Sequence, residues 1–215
     1  MTINTSRRGF LKAAAASGAV LLIGVSSGRA VAVTASGAQI NPFVKIGTDG
    51  KVIAVIKHFE MGQGPTTGLA TLIAEEIGLR MDQITFEFAP SNPELYANLA
   101  FGQFQGTGGS TAMSNSFMQY RTAGAAAREM LLSAAAESWG VMVDTLDIVD
   151  GDIVGGGNSA PLGDFVAAAA ELEAPSEPRL KSPDEWRLIG NPDVRRLDSA
   201  IKGNGQAVFG MDLHL

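Results

Sequence analysis

The sequence predicts an α/β (α+β) fold, a mixed sheet with packed helices followed by the start of a second, incomplete unit. Three observations carry this. Short apolar runs alternate around Asp-Gly dipeptides. Two glycine-rich stretches each lead into an apolar pattern of helical period. Three prolines, Pro175, Pro178 and Pro183, then break up a charged passage late in the chain.

The segment FVKIGTDGKVIAVIKHF reads as a hairpin, with Phe43 to Ile46 and Val52 to Ile56 alternating on either side of Asp49-Gly50. A glycine turn, EMGQGP, follows. Thr66 or Thr67 is placed to cap a helix from about Gly68 to Ile77, whose Leu69, Leu72, Ile73 and Ile77 share one face, and Gly78 stops it. Ile84 to Pro90 alternates as a strand. The second glycine-rich stretch, Phe101 to Ser116, leads into a long helix from about Thr111 to Ser138 that ends at Gly140. Its small residues, among them Ala123, Gly124 and Ala127, suit close packing against a sheet or another helix. Leu146 to Gly156 reads as a short hairpin on Asp150-Gly151, with Gly155 to Gly157 at its end, and Gly163 to Leu172 as a short helix. Residues 40–173 thus form the first unit and 174–185 a linker. Residues 186–215 form the start of a second unit, with a strand ending at Leu215.

Composition narrows the chemistry. The 215 residues, 46% hydrophobic, suffice for one sizeable core. The absence of cysteine excludes disulfides, thiolate nucleophiles and a self-held iron–sulfur cluster. Two histidines, His58 and His214, are too few and too far apart for a histidine metal site, so any metal must arrive inside a cofactor.

Residues 1–32 read as an export leader. Arg7 and Arg8, followed by Phe10, Leu11 and Lys12, match a twin-arginine signal. The apolar stretch Ala13 to Val25 is short, and Ala30 to Ala32 suits cleavage. An ordinary secretory signal shares some of these features, but the arginine pair favours the twin-arginine route and a periplasmic destination. Loss of Arg7, Arg8, Lys12 and Arg29 with the leader takes the formal charge from −6 to −10, which argues against nucleic acid as a partner.

Both glycine-rich stretches precede a helix start, where unpaired amides and the helix dipole favour a phosphate. Neither is a P-loop or a dinucleotide fingerprint, because the required lysine or glycine spacing is missing. Each alone is also explained as a structural turn. Two in one domain are consistent with an anionic, phosphate-bearing cofactor without identifying it. Among the other polar residues, His58 reads as a packing or surface histidine, and Glu75 and Glu76 as a solvated helix face. Glu60 is placed to orient the first turn by hydrogen bonding.

The same stretches also carry a resemblance. The blocks EMGQG with LATLIAEEIG, TGGSTAMSNSF with RTAGAAAREML, and WRLIGNPDVRRLDSAIKGNGQAVFGMDLHL resemble the molybdopterin-binding subunit of the xanthine dehydrogenase/aldehyde oxidase superfamily, of the isoquinoline 1-oxidoreductase beta-subunit type. The resemblance implies molybdenum held by a molybdopterin, as the cytosine dinucleotide, rather than by protein side chains. It assigns Met61, Gly62, Gln63 and Gly64, then Thr107, Gly108, Gly109, Ser110 and Thr111, to cofactor binding. Within these blocks Gln63 gives a side-chain hydrogen bond, and Gly109 and Ser110 contact phosphate or pterin. It further implies a separate small iron–sulfur subunit as electron acceptor. A C-terminal portion of the large subunit would carry the family's glutamate base, which nothing here matches. The reaction implied is hydroxylation of an N-heterocycle or an aldehyde with water-derived oxygen. A non-catalytic remnant and a periplasmic module binding a phosphate-bearing cofactor share the same features and stay open.

Overall fold

A computed structural model describes residues 43–213, together with the backbones of two strands, Val20–Ser26 (β1) and Arg29–Ala32 (β2). His214 and Leu215, the arginine pair and the cleavage region beyond Ala32 lie outside the described residues. The main sheet has five strands in the order β2-β1-β3-β4-β5, where β3 is Val44–Gly47, β4 is Val52–Ile56 and β5 is Ile84–Phe88. All neighbours run antiparallel except β4 and β5, which pair in parallel from Val52↔Ile84 to Ile56↔Phe88. β1 and β2 fall inside the expected leader, and cleavage after Ala32 would remove both from the sheet edge.

The parallel pair requires a crossover, and helix α1, Pro65–Ile77, supplies it. The sequence predicts this helix from Gly68 with a threonine cap, but it starts three residues earlier. Gly64 adopts φ 91° as the residue before the first turn and Pro65 is pre-set for the helix. A short helix, α2, spans Pro93–Tyr96. The long helix α3, Ala112–Trp139, then packs across α1. They come close at Gly124, where a Cβ would stand 2.9 Å from the Glu76 Cβ and 3.0 Å from the Ile73 carbonyl oxygen. Strands β6 (Leu146–Val149), β7 (Asp152–Gly155) and β8 (Asn158–Pro161) form an antiparallel meander, one strand more than the hairpin read from sequence. The glycines Gly155 to Gly157 lie at its second turn. Where a helix over Gly163 to Leu172 is expected, a 3-10 turn leads into α4, Val166–Ala169. A final short helix, α5, is Ser199–Gly203.

One apolar cluster joins these elements. Val44, Ile46, Val52, Ala54 and Ile56 from the sheet meet Leu69, Ile73 and Ile77 of α1 and Ala123, Ala127, Met130 and Leu131 of α3. Phe43 packs against Tyr96 and Tyr120 at ring separations of 5.4 and 5.0 Å. The Tyr120 hydroxyl donates to the Val55 carbonyl at 2.6 Å and accepts the Lys57 amide at 3.1 Å. It thereby ties α3 to the end of β4, where the first glycine turn begins.

The segment 174–197, read from sequence as linker and second unit, lies on this same core as a strap, and its Leu188, Ile189 and Leu197 pack against the cluster. It also corrects the reading of Glu75 and Glu76. They are 1% and 0% exposed, not solvated, because the strap covers their face of α1. Glu75 Oε2 accepts the consecutive amides of Arg187, Leu188 and Ile189 at 2.9, 2.6 and 2.9 Å. Glu76 accepts Arg121 at 2.7 Å, Arg128 at 3.3 Å and the Lys181 amide at 3.0 Å. Arg121 also lies over the rings of Phe117 and Trp186, at 5.4 and 5.3 Å from their centres.

Candidate functional site

The first glycine block leaves β4 at Ile56 and turns back into α1. Gly62 and Gly64 hold φ of 104° and 91°, values that a side chain with a Cβ adopts only with strain. Glu60 organises the turn, as its type and place suggest. Its Oε1 accepts the amides of Gly62 and Gly64 at 2.8 and 3.0 Å, and its Oε2 accepts the Thr66 amide at 3.3 Å and hydroxyl at 2.8 Å. Burial opposes ionisation of this carboxyl, but the bonds from Gly64, Thr66 and Gly62 outweigh it and hold it below the usual carboxylate range. Gln63 closes the loop locally. Its Oε1 accepts the Met61 amide and its Nε2 donates to the Phe59 carbonyl, both at 2.6 Å. Met61 is 72% exposed.

The second block is shaped by Asn98, which sequence reasoning missed. Its Nδ2 donates to the Gly106 carbonyl at 3.1 Å and to Thr111 Oγ1 at 2.8 Å, and its Oδ1 accepts Asn115 Nδ2 at 2.7 Å. Thr111 Oγ1 donates to the Gly108 carbonyl at 2.8 Å. Gly109 and Ser110 both take the left-handed conformation, at φ 57° and 56°. Helix α3 carries no side-chain cap, and the Ser110 hydroxyl has no hydrogen-bond partner among the described residues. Beneath the block, buried Lys57 donates to the Ala97 carbonyl, Asn115 Oδ1 and Gln119 Oε1 at 2.9, 3.2 and 2.8 Å. Burial pushes its ammonium down to about 8.

The structure brings the two blocks side by side. Thr107 Oγ1 accepts the Phe59 amide at 2.9 Å and lies 3.4 Å from His58 Nδ1. His58 is a packing histidine, buried and bonded through Nε2 to Ser116 at 2.9 Å. Burial, with the Lys57 charge adding, pushes its pKa down to about 4. A cleft of about 360 Å³ lies on the Phe59 side of this bond, lined by residues that include Phe59, Phe88, Phe104 and Gln105, but by none of Met61 to Gly64 or Thr107 to Thr111. Two larger clefts, of about 640 and 780 Å³, lie along the strap. Among the described residues no group of three or more His, Asp or Glu is arranged to hold a metal ion.

The family model described as the molybdopterin cofactor-binding domain matches residues 5–210. The chain belongs to that family. Of three curated relatives, the isoquinoline 1-oxidoreductase and nicotinate dehydrogenase subunits agree with the resemblance to the xanthine dehydrogenase/aldehyde oxidase superfamily. The beta subunit of isoquinoline 1-oxidoreductase from Brevundimonas diminuta is 31% identical over 100% of this chain and 32% of its own length. A membrane-bound aldehyde dehydrogenase of Gluconacetobacter polyoxogenes, named for pyrroloquinoline quinone, is 31% identical over 78% of this chain and 21% of its own. A nicotinate dehydrogenase subunit from Pseudomonas putida is 29% identical over 80% and 14%. The chain therefore spans about a third or less of the relatives it matches. Within this molybdopterin cofactor-binding domain the second glycine block, Thr107 to Thr111, is tied through Thr107 to Phe59, two residues ahead of the first block, Met61 to Gly64.

Proposed function

We propose that this chain is the cofactor-binding N-terminal part of an exported molybdenum hydroxylase, with the two joined glycine blocks as its molybdopterin site. The observation that carries the reading is the convergence of both blocks at the Phe59–Thr107 bond within a chain that matches the molybdopterin cofactor-binding family over 5–210.

The two blocks fit the cofactor differently. At the second, Gly108 and Gly109 let a ligand approach the backbone, and the uncapped start of α3 and the Ser110 hydroxyl offer donors for a phosphate or pterin. At the first, the amides of Gly62, Gly64 and Thr66 already answer Glu60, so this turn is no second phosphate cradle. It offers the Gln63 carboxamide, whose present bonds are only to its own turn, together with Met61. Gln63 exchanges its Phe59 bond for one to the cofactor, while Thr107 and Thr111 hold the second block in place. When bound, molybdenum supplies two-electron oxidation of an N-heterocycle or aldehyde carbon with oxygen from water. The residues of this chain bind and orient the cofactor. A small iron–sulfur subunit takes the electrons, and the further length that the relatives carry supplies the acid–base group.

The deciding experiment co-expresses this chain with that further length and the small subunit, then assays metal, pterin and released nucleotide. One molybdenum and one pterin per chain, with cytidine monophosphate on hydrolysis, is the expected result. A complex free of both, or one loaded with the quinone that names the aldehyde dehydrogenase relative, would overturn it. Export by the twin-arginine route to the periplasm is tested separately. Replacing Arg7 and Arg8 together by lysine should strand the protein in the cytoplasm. Unchanged export would remove that part of the reading.

A further inference from the structure

The strap runs along α1 from end to end. Glu75 and Glu76 hold it at the C-terminal end of the helix. At the N-terminal end the Leu197 amide donates to Thr67 Oγ1 at 3.0 Å, and this brings the neighbouring Arg196 onto the first glycine turn. Arg196 Nη1 donates to the Gly62 carbonyl at 2.7 Å, and its Nη2 donates to Glu60 Oε1 at 3.2 Å. The other edge of the guanidinium is fixed by Asp198, with Nε to Oδ1 and Nη2 to Oδ2 both at 2.9 Å. Arg196 and then Lys202 hold the Asp198 carboxyl well below the usual range against the cost of its burial.

Arg196 thus grips both sides of the turn. It binds a carbonyl of the turn directly, and it binds the carboxylate that receives the Gly62, Gly64 and Thr66 amides. We infer that Arg196 is a positioning residue for the cofactor turn, oriented by Asp198, which fixes Met61 to Gly64 in the shape that presents Gln63. The inference rests on the molybdopterin reading only for what the turn presents, not for the grip itself. A lysine in its place has one point charge and no planar fork, so it cannot reach the carbonyl and the carboxylate while facing Asp198.

The test follows amide exchange by mass spectrometry in the full chain, and pterin content in the co-expressed complex, for the wild type, Arg196→Ala and Arg196→Lys. Expected is roughly tenfold faster exchange at Gly62 and Gly64 in Arg196→Ala, with an intermediate value in Arg196→Lys. The strap over 181–189 stays protected because Glu75 still holds it, and pterin retention falls in step with the turn. Unchanged exchange at the turn overturns the inference. An equal rise over 181–189 also overturns it, since Arg196 would then be a general structural residue. A wild-type complex without pterin, whose turn still loosens in Arg196→Ala, removes the molybdopterin reading and leaves the grip standing.

Discussion

The hydroxyl of Thr107 accepts the amide of Phe59 at 2.9 Å, and this bond ties the second glycine block to the residue 48 positions earlier, just ahead of the first. The same oxygen lies within reach of His58, whose other ring nitrogen is anchored to Ser116 on α3. The surface between the blocks is therefore held from beneath by a strand end and a helix at once.

Replacing Thr107 by valine keeps the shape and removes the acceptor. The expected cost is about 1 kcal/mol in urea unfolding, the worth of one ordinary hydrogen bond. Faster protease cleavage between Phe101 and Gly108 should accompany it. Cleavage at the wild-type rate would mean that the blocks stay together without this bond.

Glu75→Ala should be far more damaging, because three strap amides lose their acceptor together. A loss of about 3 kcal/mol is expected, roughly one for each amide, with new cleavage sites over 181–189. Glu75→Gln retains an acceptor oxygen without the charge and should fall in between. Equal loss in both variants would show that the charge, not the acceptor, decides.

Gly124→Ala tests helix packing against helix propensity. In an isolated helix the change gains about 1 kcal/mol. Here the new Cβ meets Glu76 and Ile73 at 2.9 and 3.0 Å, so a net destabilisation of about 1–3 kcal/mol is expected. A raised melting temperature would show that α1 and α3 can separate at no cost.

His58 sets an acid limit. Its folded pKa of about 4 lies below the ordinary value of 6.5, so the unfolded chain binds the proton more readily. The stability from the neutral ring is whole above pH 6.5 and is lost as the pH falls through 4. The difference amounts to about 3 kcal/mol. His58→Gln cannot take up this proton, and its stability curve between pH 6.5 and 4 should be flatter by that amount. Parallel curves would assign the acid loss to other groups.

Local pattern made much of this legible. The β3–β4 hairpin, α1, β5 and the long α3 follow from alternation, apolar spacing and glycine stops within a few residues of each element. The start of α1 was not legible, because its cap is Glu60, which reaches forward over a turn rather than standing beside the helix. β8 is short and polar, with no apolar alternation to mark it. Glu75 and Glu76 read as solvated because their partners stand 45 to 114 residues away, beyond any local signal. Of the candidate site, both glycine blocks were visible. Asn98 shapes the second from outside its motif, and Arg196 is remote from the first in sequence.

The strap sets an order of events during synthesis. Arg196 meets Gly62 across 134 residues, and the strap amides meet Glu75 across 112 to 114. Contacts of such separation close late, after the helices and the local sheet pairs have formed. The turn at Gly62 has its local bonds to Glu60 and Gln63 early, but the Arg196 contacts are added only after the last part of this segment has been made.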